Sequence, residues 1–272
     1  TLSVLLNHGD GTFAGQVQFA VGSYPVSVTL GDLDGERDAE IVVANESSNT
    51  VSVLVNRGDG TFAEHVQYAM ESPLSIALGD FDVDGDTDLA VAIDLVGASV
   101  LWNEGDGTFM SHVRYAVGSR PHSIAVGDLD GDGAGDLAVA NTNSSTVSAL
   151  LNHGDGTFQT QNQYGVGSGP YSIALSDRDG DGYADLVVAN AGSNTVSYLL
   201  NQGDGTFAAQ VQYAVGSRPK SVAPGDLNGD GDVDLAVAND LSNTVSILLN
   251  RGDVTFATQV QYAVGSLPES VA

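Results

Sequence analysis

Acidic side chains at alternate positions of a short, glycine-containing loop suit a hard divalent cation, which takes six to eight oxygen ligands. The clearest instance is Asp128-Leu-Asp130-Gly-Asp132-Gly-Ala-Gly-Asp136, with carboxylates at loop positions 1, 3, 5 and 9 and the Ala134 carbonyl at position 7. The same set recurs as Asp80, Asp82, Asp84 and Asp88, as Asp177, Asp179, Asp181 and Asp185, and as Asp226, Asn228, Asp230 and Asp234. A further loop, Asp32, Asp34, Glu36 and Glu40, keeps oxygen at each position but carries Arg37 where the others have glycine. Asp and Gly are favoured in turns for backbone reasons alone. Like charges this close nevertheless repel by several kcal/mol without a cation. Recurrence in register therefore points to Ca2+, bound strongly in four loops and weakly or not at all in the first. Position 12 of the clearest loop is Val139 and its flanks are strand-like, which excludes a helix-loop-helix calcium site.

The second group with chemical potential lies where the repeats differ. Around an in-phase proline, the preceding residue runs Tyr24, Ser72, Arg120, Gly169, Arg218, Leu267, and the following one Val26, Leu74, His122, Tyr171, Lys220, Glu269. Arg120, His122, Tyr171, Arg218 and Lys220 would place cations and aromatics on an otherwise acidic protein, a set able to hold an anionic sugar or an acidic peptide. No GxSxG, HExxH or phosphate-binding glycine loop occurs. The expectation is a chain without catalysis. His122 and Tyr171 are the only candidates for a base in this group.

These residues are carried on a repeat. A turn string beginning NxGD and ending TF starts at Asn7, Asn56, Asn103, Asn152, Asn201 and Asn250, and six of the seven prolines fall in phase. Each unit of about 49 residues reads as four short strands, such as those around Ser123–Val126, Leu137–Ala140, Thr146–Leu151 and Gln161–Val166. Their Leu, Ile, Val and Ala alternation suits a sheet packed on both faces, with the third and fourth strands read as outer ones. Four strands per unit predict an all-β fold, a β-propeller of four-stranded blades. The complete blades are expected at 23–70, 71–118, 119–167, 168–216 and 217–265. Residues 1–22 would supply part of a sixth, incomplete blade, and 266–272 its start, so that both termini share it in a single domain, 1–272.

The residues now quoted, with VGSxP before each first strand (Val117–Pro121) and LAVAN after each loop, resemble FG-GAP or VCBS-type repeats, the blades also found in the integrin alpha-subunit head. The resemblance implies a calcium-stabilised propeller at the cell surface or outside the cell, serving adhesion, carbohydrate binding or protein interaction. Because some similar propellers are polysaccharide lyases, the resemblance also implies an alternative, a catalytic propeller of lyase type acting on acidic polysaccharide with His122 or Tyr171 as base. A structural spacer within a larger secreted protein or assembly is the remaining one. A formal net charge of −27, from 35 acidic against 8 basic residues, repels nucleic acid and anionic lipid. No run of about 18 apolar residues is present for membrane insertion. With no cysteine, neither disulfides nor thiolate metal sites can brace the fold. The partners expected are a glycan or protein ligand at the channel mouth.

Overall fold

A computed structural model describes all residues except Ser111 and Val254. Every element among the described residues is a strand. The chain divides into two compact units, one of Thr1–Asp80 with Asp84–Arg114, the other of Phe81–Val83 with Tyr115–Ala272.

The first unit opens with a two-stranded sheet, β1 (Leu2–Val4) against β2 (Val17–Phe19). A four-stranded antiparallel blade follows: β3 (Pro25–Gly31), β4 (Glu40–Asn45), β5 (Thr50–Leu54) and β6 (Val66–Ala69), hydrogen-bonded in sequence order. The next contains β7 (Pro73–Gly79), β8 (Asp88–Ile93), β9 (Gly97–Leu101) and β10 (Val113–Tyr115). The second unit repeats this order three times: β11 (Pro121–Gly127) to β14 (Asn162–Gly165), β15 (Pro170–Ser176) to β18 (Val211–Ala214), and β19 (Pro219–Gly225) to β22 (Val260–Ala263). The molecule is thus all-β, built of propeller blades, five of them complete.

The second strand of each blade is buried along its whole length, as the Leu, Val and Ala run requires. Within β16 (Asp185–Asn190), Leu186 and Val188 enter one core shared with the preceding blade, and Val187 and Ala189 enter another shared with the following blade. The third strand departs from the sequence expectation. It is nearly as buried as the second, and only the fourth is an outer strand. The reason lies in the fourth strand's aromatic, which packs edge-on against the turn phenylalanine of the next blade and roofs the core. Within single units these pairs are Tyr68–Phe109, Tyr115–Phe158, Tyr164–Phe207 and Tyr213–Phe256, with ring centroids 5.0–5.5 Å apart.

The turn string is hairpin chemistry. In each copy the Asn Oδ1 accepts the N–H two residues on, and the Asp Oδ1 accepts both the N–H and the hydroxyl of the Thr, as in Asn152–Gly154 and Asp155–Thr157. Asp59, within Arg57-Gly58-Asp59, is engaged in the same way by Thr61.

The shorter repeat that ends near Asn103 loses one residue in each of two turns. Three residues rather than four separate β6 from β7, and three rather than four separate β8 from β9.

After β22, residues 264–272 form no strand, but Val271 occupies a repeating position. Its N–H donates to Ser221 Oγ at 3.2 Å, as Ile173 donates to Ser123 and Val222 to Ser172 in the blades before it.

Candidate functional site

Each aspartate loop joins the first and second strands of a blade. Asp128 Oδ1 accepts the Gly131 N–H at 2.7 Å and its Oδ2 that of Gly133 at 3.0 Å, while Asp130 and Asp132 accept the N–H groups two residues on. Asp32, Asp177 and Asp226 make the same closing bonds, which curl the loop, whereas Asp80 accepts the Asp84 N–H through Oδ1 and the Gly85 N–H through Oδ2. The curl needs left-handed backbone at position 6, supplied by Gly85, Gly133, Gly182 and Gly231; Arg37 adopts it too, with φ 69°. The Arg for Gly change therefore leaves the loop shape intact at the expense of local strain.

Three acidic groups bring ligand atoms within 4.8 Å of one another inside a single unit: Asp32, Asp34 and Glu40; Asp128, Asp130 and Asp136; Asp177, Asp179 and Asp181. The first loop therefore gathers its carboxylates despite Arg37, whereas the last forms no such acidic trio. There Asn228 Nδ2 donates to Asp230 Oδ2 at 2.7 Å. Both oxygen-only donor sets and geometry fit a hard divalent ion. The loop from Asp80 to Asp88 has Phe81–Val83 in the second unit; within the first, Asp80 Oδ2 accepts the Gly85 N–H at 3.0 Å and Asp88 Oδ1 the Asn103 N–H at 2.8 Å, as the counterpart oxygens do in the other loops.

The position-9 carboxylate has a second task. Asp136 is fully buried, and its two oxygens accept the Leu129 N–H (2.8 Å) and the Asn152 N–H (2.7 Å), tying the loop to the turn after the third strand. Glu40, Asp185 and Asp234 do the same. Burial pushes the Asp136 carboxyl up to about 7, against the pull of those two N–H bonds, and raises Glu40 and Asp185 for the same reason. A carboxyl raised in the folded state keeps a proton that the unfolded chain releases, so stability falls as pH rises between the two pKa values. Metal-stripped protein is thus expected to lose melting temperature between about pH 4 and about pH 7, read by circular dichroism. A rise over that window would contradict this account.

At the other end of the first strands, the residue before each in-phase proline is left-handed, with φ between 43° and 63° in all six copies. In the five complete blades its carbonyl accepts the N–H that follows the second strand, as in Arg120 with Thr142 (2.8 Å) and Arg218 with Asp240 (3.0 Å). This clamp fixes where the variable side chains stand. His122 and Tyr171 lie ring against ring with centroids 3.6 Å apart, and Lys220 Nζ sits 3.7 Å from the Tyr171 centroid. His122 Nδ1 lies 2.9 Å from the Tyr171 carbonyl, so this nitrogen donates its proton to that oxygen. Arg218 turns its guanidinium onto buried Asp240, while Arg120 is exposed. Asp240 was not singled out in the sequence, although its position varies among the copies (Glu46, Asp94, Thr142, Ala191, Asp240) as the proline flanks do.

The FG-GAP-like repeat model matches residues 32–91, 80–139, 128–188, 177–237 and 226–272. No curated protein matches the sequence. Solved structures share the fold. An Agrocybe aegerita lectin that recognises non-reducing terminal N-acetylglucosamine is 21% identical, with a TM-score of 0.65 over 95% of this chain and 73% of its own. The periplasmic gluconolactonase of Pseudomonas aeruginosa is 19% identical, with a TM-score of 0.70 over 94% and 74%. A candidate 6-phosphogluconolactonase of Bacteroides uniformis is 18% identical, with a TM-score of 0.74 over 98% and 79%. These likenesses correct the expectation of a chain without catalysis. It rested on absent motifs, and propellers described as lactonases have this same fold, so missing motifs do not exclude an enzyme. Five overlapping matches spanning residues 32–272, each beginning at the first aspartate of a loop, place the chain in the FG-GAP-like repeat family.

Proposed function

We propose that the chain is a calcium-stabilised propeller that acts on an anionic carbohydrate at the cluster of His122, Tyr171 and Lys220. The observation that carries this reading is that three successive first strands bring an imidazole and an ammonium against one phenol ring, at the place where the repeats diverge. Lys220, with Arg120 beside the cluster in sequence register, would offset the carboxylate of a uronate residue. His122 Nε2 would take the proton from the carbon next to that carboxylate. The electron pair then forms a carbon–carbon double bond as the glycosidic C–O bond breaks, and the Tyr171 hydroxyl returns a proton to the leaving oxygen.

In the same reading, Asp32, Asp34, Glu36, Glu40, Asp80, Asp82, Asp84, Asp88, Asp128, Asp130, Asp132, Asp136, Asp177, Asp179, Asp181, Asp185, Asp226, Asn228, Asp230 and Asp234 serve Ca2+ as structural ligands. The ion supplies charge neutralisation to hairpins that are otherwise self-repelling. A calcium-rich compartment outside the cytoplasm suits such sites, and no helix among the described residues is long and apolar enough to cross a membrane.

Oligogalacturonate and alginate oligomers, titrated by calorimetry and assayed for ultraviolet absorbance of unsaturated products, test the proposal. Lys220→Ala is expected to weaken binding about tenfold or more, the loss of one charge-assisted contact, and His122→Ala to abolish product while leaving binding within about threefold. Binding without product would remove the catalytic step. No binding to any anionic oligomer would remove the site.

A further inference from the structure

The first strand of the first complete blade carries a bare face at positions that are covered in three of the other blades. At equivalent positions of the first strand, Ile76, Ile173 and Val222 are 7%, 6% and 5% exposed, whereas Val28 is 55% and the next inward residue, Leu30, 61% exposed. Val28 and Leu30 line a cavity of about 610 Å3 with Leu2, Val4, Ile41 and Phe62. On its other side stands β1, whose only strand partner is β2, so its second edge is unpaired among the described residues. A large apolar patch beside a free strand edge is a docking surface rather than a solvent face.

The same chain shows what covers this face elsewhere. In the second unit, the hairpin Pro121–Asn141 meets the following blade in three ways. Ser123 Oγ accepts the Ile173 N–H, Gly127 leaves room for Leu175, whose Cδ1 would lie 2.6 Å from any Cβ there, and the Leu129 carbonyl accepts Asn201 Nδ2 at 2.8 Å. In the first unit, Gly31 seats Leu78 and the Leu33 carbonyl accepts Asn103 Nδ2 at 2.7 Å in the same manner. The counterparts on the bare face are the Val28 N–H, Leu30 and Asn56. Asn103 and Asn201 each bond two carbonyls through Nδ2, but Asn56 bonds only the Ala39 carbonyl, at 3.1 Å, and is half-buried in the cavity wall. Strand β1 corresponds to β13 (Thr146–Leu150), which pairs with β12 (Asp136–Asn141) in the complete blade.

We infer that this groove is the seat for a hairpin of another FG-GAP-like repeat, one with Ser, Gly and a loop carbonyl spaced as Ser123, Gly127 and Leu129. The hairpin's first strand covers Val28 and Leu30, its loop carbonyl takes the remaining Asn56 Nδ2 hydrogen, and its second strand adds to the edge of β1.

The full chain is mixed in calcium with a peptide of residues 121–141, and in parallel extended by a copy of residues 121–145 placed directly before Thr1. Amide hydrogen exchange at β1 and β3 and fluorescence of a hydrophobic dye are followed in both. Exchange at Leu2–Val4 and Val28 is expected to slow about tenfold or more in at least one arm, with loss of dye binding, and Val28→Asp with Leu30→Asp to abolish the slowing. These side chains are exposed, so the variant should fold. Unchanged exchange in both arms overturns the inference. So does equal protection by a scrambled peptide, or protection already present through self-association, seen by sedimentation, which would make a second copy the occupant.

Discussion

Stripping divalent cations is expected to lower the melting temperature by about 10 °C or more, with millimolar calcium restoring it and magnesium restoring less. The argument begins with charge. Asp128, Asp130 and Asp136 bring oxygens within 4.8 Å, as do Asp177, Asp179 and Asp181 in the next blade of the same unit. Without an ion this is like-charge repulsion on strands whose packing depends on the loop staying curled. An ion bound only by the folded state stabilises it by about 2.7 kcal/mol per site at a hundredfold excess over its dissociation constant. Two such sites give about 5 kcal/mol, and a domain of this size shifts by roughly 2–4 °C per kcal/mol. Magnesium demands tighter octahedral geometry and gives up water reluctantly, so a loop offering several carboxylates suits the larger ion. A melting temperature unchanged within about 2 °C, in protein shown by elemental analysis to be metal-free, would mean that hydrogen bonds alone hold the loops.

Much of this architecture is legible in the residues because each local choice has a single reading. The in-phase proline fixes the first residue of every first strand, and the residue before it is held left-handed whatever its type, from Tyr24 to Leu267. The LAVAN run can only be a strand buried on both faces. What stayed hidden depends on distant contacts. Arg178 holds a loop position filled by Leu33, Phe81, Leu129 or Leu227 in other copies, and a lone arginine there reads as solvated. Instead it is buried, with its guanidinium carbon 4.5 Å from the Tyr198 ring centroid and 4.2 Å from that of Phe256. Tyr198 in turn donates its hydroxyl to Asp185, which leaves that carboxylate outside the acidic trio of its own loop. Cluster membership of His122, Tyr171 and Lys220 was foreseeable from repeat phase. The turning of Arg218 onto Asp240 was not, since it required knowing that Asp240 is buried beside the clamp.

The turn asparagine is the other feature whose weight the sequence understates, and its removal should be the most damaging single change. Asn201 reads as an ordinary turn residue, yet it is buried and makes four bonds. Its Nδ2 donates to the carbonyls of Leu129 in the preceding blade's loop (2.8 Å) and Ala184 (3.0 Å), its Oδ1 accepts the Gly203 N–H (3.0 Å), and its own N–H donates to Asp185 (2.8 Å). Alanine keeps only the last of these. It leaves two carbonyls and one N–H without partners, each costing about 1–3 kcal/mol where buried. Asn201→Ala is therefore expected to destabilise by about 3 kcal/mol or more, a fall of roughly 6–12 °C. Because Leu129 also donates its N–H to Asp136, the substitution should weaken the calcium binding proposed for the Asp128 loop as well. Asn56→Ala is the internal control, since Asn56 occupies the same place in its repeat, is only half-buried and bonds a single carbonyl through Nδ2. Its loss should cost less than half as much. Equal effects in urea unfolding would show that the turn itself, and not the bond between successive blades, is what the asparagine protects.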